Sequence, residues 1–310
     1  MQIHLGREDD AVFIYLDTML WNEFCDEGVN AQMLMAALFA KNLHLVLGTE
    51  VIYELAKTFR TNPTRAQQLF AYLRSFTERG IPCTKDDPLI LDCEAELALS
   101  GESNECDPFF RTTNYRNMQK EVDKLSRGVF DSRANQAVES RMQLAASERS
   151  AMNAQYRIPS ALKARLSDIP VSGLETWLRK EVQRVGRKLL KERLRIRFPG
   201  WTERELTIVA KKLLASSRCH LSRAVVRADL YANWRTATGG SMSRDLLPDL
   251  DHVVTASYFD VYATMEAAQA KYAPLVLNRR RIVIYDGKIP VSEISSMTPC
   301  GEVQKTMQQC

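Results

Sequence analysis

A short apolar run near the N-terminus is the feature that most constrains the fold. The residues AVFIYL at 11–16 are apolar without interruption and rich in β-branched and aromatic side chains, and Asp17 follows them directly. A strand with one face in water alternates apolar and polar residues, whereas a continuous apolar run is typical of a strand covered on both faces. The run therefore predicts a buried strand of a parallel sheet, with the carboxylate of Asp17 at its carboxyl end.

Helical and strand patterns alternate over the first part of the chain. Residues 22–41 have helical apolar spacing, LHLVLG at 43–48 predicts a second buried strand, and TEVIYELAKTF follows as a helix with Thr49 as its N-cap. Another helical pattern precedes a third short strand, IPCT at 81–84. Alternation of this kind predicts an α/β fold with a parallel sheet.

The character of the chain changes in its middle and returns near its end. Between residues 89 and 243 long polar-rich helical patterns replace the strands, and Gly239-Gly240 predicts a flexible exit. A helix over 250–258, a strand over 260–264, a further helix and a strand within 279–291 then follow. The predicted organisation is a first α/β part (1–88), an all-α basic insertion (89–243), a second α/β part (244–292) and a loose C-terminal tail (293–310).

Basic residues are concentrated in the insertion. The net charge is only +4, but acids outnumber bases before residue 110 and bases outnumber acids after it. The strongest run contains these cations: Arg179, Lys180, Arg184, Arg187, Lys188, Lys191, Arg193, Arg195 and Arg197. A solvated helix, which is the alternative interpretation, more often mixes both signs, so the run predicts a surface for the phosphates of a nucleic acid. Trp177, Trp201 and Trp234 are assigned to the helical core rather than to stacking on bases.

The cysteines, histidines and N-terminal residues exclude several classes of protein. Seven cysteines are scattered without a C-x-x-C pair, and four histidines lack zinc-binding spacing, so reduced thiols and no zinc site are expected. The first residues carry acids where a secretory signal has a basic region, and no apolar run reaches the roughly 18 residues that cross a bilayer. A cytoplasmic protein without membrane association is predicted.

Four acidic positions coincide with the predicted strand ends. Asp17 ends the first strand, Glu54 lies in the helix after the second strand, Asp249 or Asp251 opens a helix, and Glu266 follows the last short strand. Open parallel sheets bind ligands outside the carboxyl ends of their strands. Clustered carboxylates without basic partners suit Mg²⁺ or Mn²⁺, ions that activate water and stabilise phosphoryl oxygens. The pattern predicts a metal site at this edge.

A structural role is the alternative for each of these acids. Asp17 and Asp249 are each able to cap a helix, Glu54 is able to pair with Lys57 or Lys41, and Glu266 has the context of a solvated helix residue.

Three segments resemble, in this order, the signatures of PIN-domain nucleases. They are FIYLDT, TEVIYELAKTF and DLDHVVTASYFDVYATME. The resemblance covers the two α/β parts of the chain and not the insertion. It implies a Rossmann-like PIN-type three-layer sandwich with a parallel sheet, interrupted by the large all-α insertion. It also implies a metal-dependent site that cuts RNA phosphodiesters.

The resemblance assigns roles to individual positions. The catalytic, metal-binding acids would be Asp17, Glu54, Asp249 and Glu266, with Asp251 as an alternative metal ligand to Asp249. Supporting roles would fall to Thr18, His252, Asp260 and Thr264, with Asp260 lining the site. Glu266 departs from the family, which usually has an aspartate there, and the length of the insertion departs further.

The predicted function is therefore a Mg²⁺- or Mn²⁺-dependent PIN-like endoribonuclease, of the kind that acts as a toxin, in defence or in RNA processing. The alternative is a catalytically degenerate PIN-like module that binds RNA or docks a partner. RNA, single-stranded RNA included, is the predicted partner. An antitoxin or other regulatory protein and a homo-oligomer formed through the insertion stay open.

Overall fold

The computed structural model describes residues 11–101, 105–155, 166, 168–239, 246–277 and 282–284. Its strands are β1 (Val12–Leu16), β2 (Leu43–Val46), β3 (Val261–Thr264) and β4 (Ile282–Ile284). The tail predicted at 293–310, and most of the segment 279–291 around β4, lie outside the described residues.

The described helices all lie between these strands in the chain. In the first part of the chain they are α1 (Thr18–Asp26), α2 (Ala31–Phe39), α3 (Thr49–Lys57), α4 (Pro63–Thr77) and α5 (Asp87–Ser100). They continue as α6 (Thr112–Ser126), α7 (Ser132–Gln155), α8 (Leu174–Arg197), α9 (Glu203–Ala215), α10 (His220–Gly239), α11 (Leu246–Thr255) and α12 (Ala267–Leu277). Short 3-10 helices span Thr58–Arg60, Val171–Gly173 and Ala256–Tyr258.

The four described strands form one parallel sheet in the order β2-β1-β3-β4. Val12 pairs with Leu43 on one side of β1, and Ile14 pairs with Val261 on the other. The chain thus adds β2 to one side of β1 and, after the insertion, adds β3 to the opposite side. The strand order reverses at β1, so a crevice is expected between the carboxyl ends of β1 and β3.

Both faces of β1 are buried, as its continuous apolar sequence predicts. Phe13 and Tyr15 belong to one hydrophobic core, which they share with residues of α5 and of α8 through α12. Ile14 and Leu16 belong to a second core with residues of α1 through α4, α6 and α7. The insertion therefore contributes helices to both faces of the sheet, and its core is continuous with the core of the α/β parts.

The helix predicted over 22–41 is two helices. Gly28 has a positive φ of 64°, a conformation that ends a helix and costs glycine little. Asn30 then caps α2 by accepting a hydrogen bond from the backbone N–H of Met33 at 3.0 Å. The apolar period continues across this break, and for that reason periodicity alone predicts one helix.

The start of α3 and the third strand also differ from the sequence-based expectation. Gly48, rather than Thr49, is the N-cap of α3, and a side chain at Gly48 would overlap the ring of Tyr15. The hydroxyl of Thr49 donates to the carbonyl of Thr84 instead. Within 81–84 only isolated bridges form, Leu47 with Cys83 and Thr84 with Phe109. Pro82 has no N–H to donate to a ladder.

The helix predicted over 250–258 begins earlier than expected. The helix α11 starts at Leu246, so Asp249 lies inside its first turn instead of preceding it.

Across the described ranges, no helix has both the length and the apolar character that a bilayer crossing requires. The described thiols of Cys25, Cys83, Cys93, Cys106 and Cys219 are all free.

Candidate active site

Asp17 lies at the carboxyl end of β1, where the strand order reverses. One carboxylate oxygen caps α1 by accepting the N–H of Leu20 at 2.9 Å, and the other accepts the hydroxyl of Thr264. Thr264 is the last residue of β3, so this bond joins the ends of two neighbouring strands. Only 1% of Asp17 is exposed. Burial raises the pKa of Asp17, whereas the bonds from Thr264 and Leu20 oppose the rise.

Glu54 reaches the same place from α3. Its carboxylate accepts the hydroxyl of Thr18 at 2.6 Å, and Thr18 directly follows Asp17. The same oxygen lies 2.9 Å from Nε2 of His252. Burial favours a higher pKa, but the hydrogen bond and charge of His252 outweigh it and lower the pKa of Glu54 to about 2. A quarter of this side chain (25%) is exposed, so Glu54 is the more accessible of the two carboxylates.

His252 of α11 is fully enclosed and connects three elements. Its Nδ1 lies 3.0 Å from the hydroxyl of Tyr15 on β1, and its Nε2 faces Glu54 and, at 3.2 Å, the hydroxyl of Thr18. Burial alone would lower the pKa of His252, but the hydrogen bond and charge of Glu54 raise it to about 9. At neutral pH the pair is therefore an imidazolium and a carboxylate, and His252 holds Glu54 in a fixed orientation.

A second acidic residue of α3 is paired with the insertion. Glu50 lies one helical turn before Glu54, is 5% exposed, and forms an ion pair with Arg141 of α7. The guanidinium of Arg141 also lies over the ring of Tyr53, 5.6 Å from its centroid. The opposing charges of Glu50 and Asp251 outweigh the burial of Arg141 and raise its pKa. The insertion thus delivers a cation to the acid-bearing face of α3.

Asp87 and Asp251 complete this second group. Asp87, at the start of α5, accepts the hydroxyl of Thr255 at 2.5 Å. Burial, followed by repulsion from Glu50 and Asp251, raises the pKa of Asp87 well above its usual range. Asp251 is close enough to Asp87 and Arg141 for its charge to raise the pKa values of both.

Asp249 and Glu266 act on a different set of residues, which includes two buried tyrosines. The charge of Asp249 raises the pKa values of Tyr262 and Tyr272, which burial raises first, and the charge of Glu266 acts on Tyr272 as well. The backbone N–H of Glu266 donates to the hydroxyl of Thr264 at 3.0 Å. The charge of Asp17 contributes to the raised pKa values of both His252 and Tyr262.

Asp260 does not line this site. It precedes β3, and its carboxylate accepts the N–H of Phe13 at 3.0 Å at the amino end of β1. Thr264 is four residues further along the strand, roughly 13 Å away at the rise of an extended chain. The interpretation of Asp260 as a site residue is wrong. Its position before β3 places it at the amino ends of the strands, whereas the site lies at their carboxyl ends.

The predicted metal ligands do not converge on one point. Among the described residues, no three or more His, Cys, Asp or Glu side chains are grouped so that they could hold a metal ion. The oxygens of Asp17 are directed at Leu20 and Thr264, and the bonded oxygen of Glu54 at Thr18 and His252. The side chains as arranged therefore do not fit a shared Mg²⁺ or Mn²⁺ ion.

The basic helix α8 divides into two halves. Toward its C-terminus, the cations pair with acids: Lys191 with Glu203, Arg193 with Asp229, Arg195 with Glu192 and Glu203, and Arg197 with Asp92. In the other half, Arg179, Lys180, Arg184, Arg187 and Lys188 are exposed at helical spacing. Within the described ranges only Arg184 of this half forms an ion pair, with Glu181. The first half is therefore the part of α8 that can bind phosphates.

The tryptophans belong to the helical core. Trp234 is 7% exposed, and Trp177 and Trp201 pack partly against the same core. Trp201 also stacks on Phe198, with ring centroids 4.1 Å apart. The assignment of these rings to packing is thus confirmed.

A cavity of about 540 Å³ lies away from the strand ends, between α5, α9 and the start of α10. Its lining includes Glu94, Cys106, Lys212, Arg218 and Cys219, none of which is a predicted site residue. The carboxylate of Glu94 is committed to structure, because it accepts the N–H groups of Leu221 and Ser222 at 3.0 and 2.9 Å and so caps α10.

Four residues of the site are absent from the sequence-based prediction: Tyr15, Glu50, Asp87 and Arg141. A local signal existed for Glu50, since it lies four residues before Glu54 on the same helix face. Arg141 has no such signal, because its position depends on how the insertion folds back.

No protein-family model matches the chain, and no curated protein or solved structure matches it. Function is therefore inferred from the site itself.

Proposed function

We propose that this chain is a cytoplasmic PIN-like endoribonuclease with a PIN-type three-layer sandwich fold. The observation that carries the proposal is the position of Asp17 at the reversal of strand order, joined to β3 through Thr264 and, by way of Thr18, to Glu54. Open parallel sheets bind their ligands at this point. Two carboxylates from different elements at one such crevice suit hydrolysis of a phosphodiester better than a purely structural role.

The two carboxylates have different parts in the proposed site. Glu54 is ionised at neutral pH and partly exposed, so it is the carboxylate that the substrate meets first. Asp17 lies beneath it and fixes the start of α1, and thereby Thr18. Asp249 and Glu266 are the proposed third and fourth acids, and the charges of both raise the pKa of Tyr272.

A Mg²⁺ or Mn²⁺ ion is part of the proposal only as a requirement to be tested. Such an ion activates water and stabilises phosphoryl oxygens. The pair formed by Glu54 and His252 would have to open, or other oxygens approach, before an ion could bind, so no step is assigned to it.

RNA would be bound by the first half of α8. Arg179, Lys180, Arg187 and Lys188 are exposed there, and contacts with backbone phosphates are independent of sequence and weaken with salt. Single-stranded RNA is the proposed substrate, since proteins that bind single strands without sequence preference do so through positively charged surfaces that follow the backbone.

The experiment that tests the proposal is a gel assay of wild type and Asp17→Asn on structured and single-stranded RNA, with Mn²⁺, with Mg²⁺ and with a chelator. Cleavage is expected only with a divalent ion and only for wild type. Asparagine also caps helices well, so the variant is expected to keep its melting temperature. Undiminished cleavage by a clean preparation of Asp17→Asn would contradict the proposal.

A second candidate is a PIN-like module that binds RNA or a partner protein and no longer cuts. The observation in its favour is that Glu54 pairs with His252 and Glu50 with Arg141, so side-chain cations already neutralise these acids. Salt-sensitive RNA binding in chelator, without turnover in Mn²⁺, would favour this candidate. An antitoxin-like partner or a homo-oligomer would appear in sedimentation at several protein concentrations and would respond to charge reversal on α8.

A further inference from the structure

The insertion reaches the acids through one side chain. The helix α7 contacts both α3 and α11, the two helices that carry Glu50, Glu54 and Asp251. Arg141 is the point of ionic contact, since it pairs with Glu50 while its guanidinium covers the ring of Tyr53. Only 20% of the Arg141 side chain is exposed, and the Glu50 side chain is 7% exposed, so this pair is shielded from solvent.

The surroundings of Arg141 determine what its charge can do. Three acids act on the guanidinium, namely Glu50, Asp251 and Asp87. Arginine binds a phosphate through the parallel N–H donors of its guanidinium fork. In Arg141 one of these donors is already directed at Glu50, and the charge of Asp251 also acts on the guanidinium. Arg141 is therefore suited to neutralise these acids and not to bind the substrate.

The pair lies one helical turn from Glu54 of the proposed site. Glu50 and Glu54 lie one turn apart on α3, so a helix held to Glu50 also lies beside Glu54. Breaking a shielded ion pair by removing one partner leaves a buried charge, which favours separation of the two elements and access of water.

We propose that Arg141 is a latch: its guanidinium is the counter-cation of Glu50 and Asp251, and it fastens helix α7 of the insertion over the acid-bearing sides of α3 and α11. The inference deepens the proposed function and depends on it for its effect on RNA cleavage, but not for the contact itself. It accounts for the misfit between the acids and a metal ion, because a side-chain cation already occupies their neighbourhood. Release of the latch would open the site.

The test compares Arg141→Gln with Arg133→Gln in the full chain. Arg133 is exposed on the same helix, so both variants lose one positive charge from α7 and only the first loses the latch. Hydrogen exchange of the segments 49–57 and 246–255 is measured, and Mn²⁺ binding is followed by paramagnetic resonance of the free ion. Faster exchange in both segments and about tenfold tighter Mn²⁺ binding are expected for Arg141→Gln alone, within the usual range of coupling between sites.

Glu50→Gln releases the latch from the other side and keeps the guanidinium. It is expected to give the same faster exchange, which makes the result independent of whether Arg141→Gln folds well. The latch would be overturned if Arg141→Gln and Arg133→Gln had equal hydrogen exchange and equal Mn²⁺ binding, and if Glu50→Gln exchanged like wild type.

The cleavage assay separates this inference from the proposed function. If both are right, Arg141→Gln cleaves RNA faster than wild type, and addition of Asp17→Asn abolishes that cleavage. If hydrogen exchange and Mn²⁺ binding change as expected but no variant cleaves RNA, the nuclease proposal is refuted and the latch proposal is supported. Cleavage by wild type with no difference between the two α7 variants in any measurement would refute the latch alone.

Discussion

The hydroxyl of Thr264, the last residue of β3, donates a hydrogen bond to the carboxylate of Asp17, 247 residues earlier in the chain. This bond connects the ends of β1 and β3 at the point where the strand order reverses. These strands come from the two α/β parts, which the insertion separates in the sequence. Both groups are buried, with 0% of Thr264 and 1% of Asp17 exposed, so no solvent replaces the bond if it is lost. The orientation of Asp17 at the end of β1 thus depends on a residue from the far end of the fold.

Removal of the Thr264 hydroxyl is expected to weaken both the fold and the site. Thr264→Val has nearly the same shape but removes the hydroxyl that donates to Asp17 and accepts the N–H of Glu266, at a cost of about 1–3 kcal/mol. Thr264→Ser keeps the hydroxyl and serves as the control, with a smaller loss. Urea unfolding measures the stability, and RNA cleavage reports the orientation of Asp17. Equal losses in the two variants would show that packing, not the hydroxyl, is what matters.

The pair of His252 and Glu54 is expected to stabilise the fold only over a limited pH range. The pKa of His252 is raised from 6.5 to about 9, so its contribution is complete below 6.5 and lost as the pH rises through 9. The pKa of Glu54 is lowered from 4.5 to about 2, so its contribution is complete above 4.5 and lost as the pH falls through 2. The full contribution is therefore present between pH 4.5 and 6.5.

The measurement is the unfolding free energy of wild type minus that of His252→Gln across this range. The difference should be on the order of 3 kcal/mol in the plateau and should decline above it as the histidine loses its proton. A difference that is constant from the plateau to alkaline pH would mean that His252 acts through packing.

The two halves of α8 are expected to respond differently to charge reversal. The double variant Arg187→Glu/Lys188→Glu changes exposed cations and should weaken RNA binding about tenfold or more, with a shallower dependence on salt. The matched variant Arg193→Glu/Arg197→Glu breaks the pairs with Asp229 and Asp92, so it should lower stability by about 1 kcal/mol and affect RNA less. Filter binding at two salt concentrations and urea unfolding separate the effects. An equal loss of RNA affinity in both variants would mean that α8 attracts RNA only through its total charge.

Glu94 is expected to be a structural acid of the insertion. It accepts the N–H groups of Leu221 and Ser222 at the start of α10, and also the hydroxyl of Tyr258 at 2.5 Å. Glu94→Ala removes this cap and leaves buried donors without acceptors, at a cost on the order of 3 kcal/mol. Glu94→Gln retains an acceptor and should lose less. If unfolding in urea is unchanged for both variants, the cap does not contribute to stability.

The parts of the fold that follow from short-range pattern were predictable from the sequence. The uninterrupted apolar run of β1 predicts burial on both faces, and Phe13 and Ile14 do face two different cores. The position of Asp17 at the strand end follows directly, because it is the residue after that run. Gly28 and Asn30 are residue types that end and begin helices, but the helical apolar spacing on either side of them predicted one continuous helix.

The partners of the acids were not predictable, because they depend on long-range packing. His252 and Glu54 form a contact although they are 198 residues apart in the sequence. The contact requires α11, the helix that carries His252, to pack beside α3. Arg141 meets Glu50 across 91 residues, from an insertion whose course the sequence does not determine. Asp260, by contrast, could have been placed from the sequence, because it precedes β3 and therefore lies at the amino end of that strand.

The measurement that tests the central claim most directly is the single-turnover cleavage rate of Asp17→Asn beside that of Asp260→Asn. Both aspartates accept a backbone N–H and adjoin neighbouring strands. Asp17 follows β1 at its carboxyl end, whereas Asp260 precedes β3 at its amino end. A site at the carboxyl ends predicts that Asp17→Asn loses at least about a hundredfold in rate, within the range for a catalytic group, whereas Asp260→Asn stays close to wild type. Equal rates for the two variants, whether both retained or both lost, would contradict a catalytic site at Asp17.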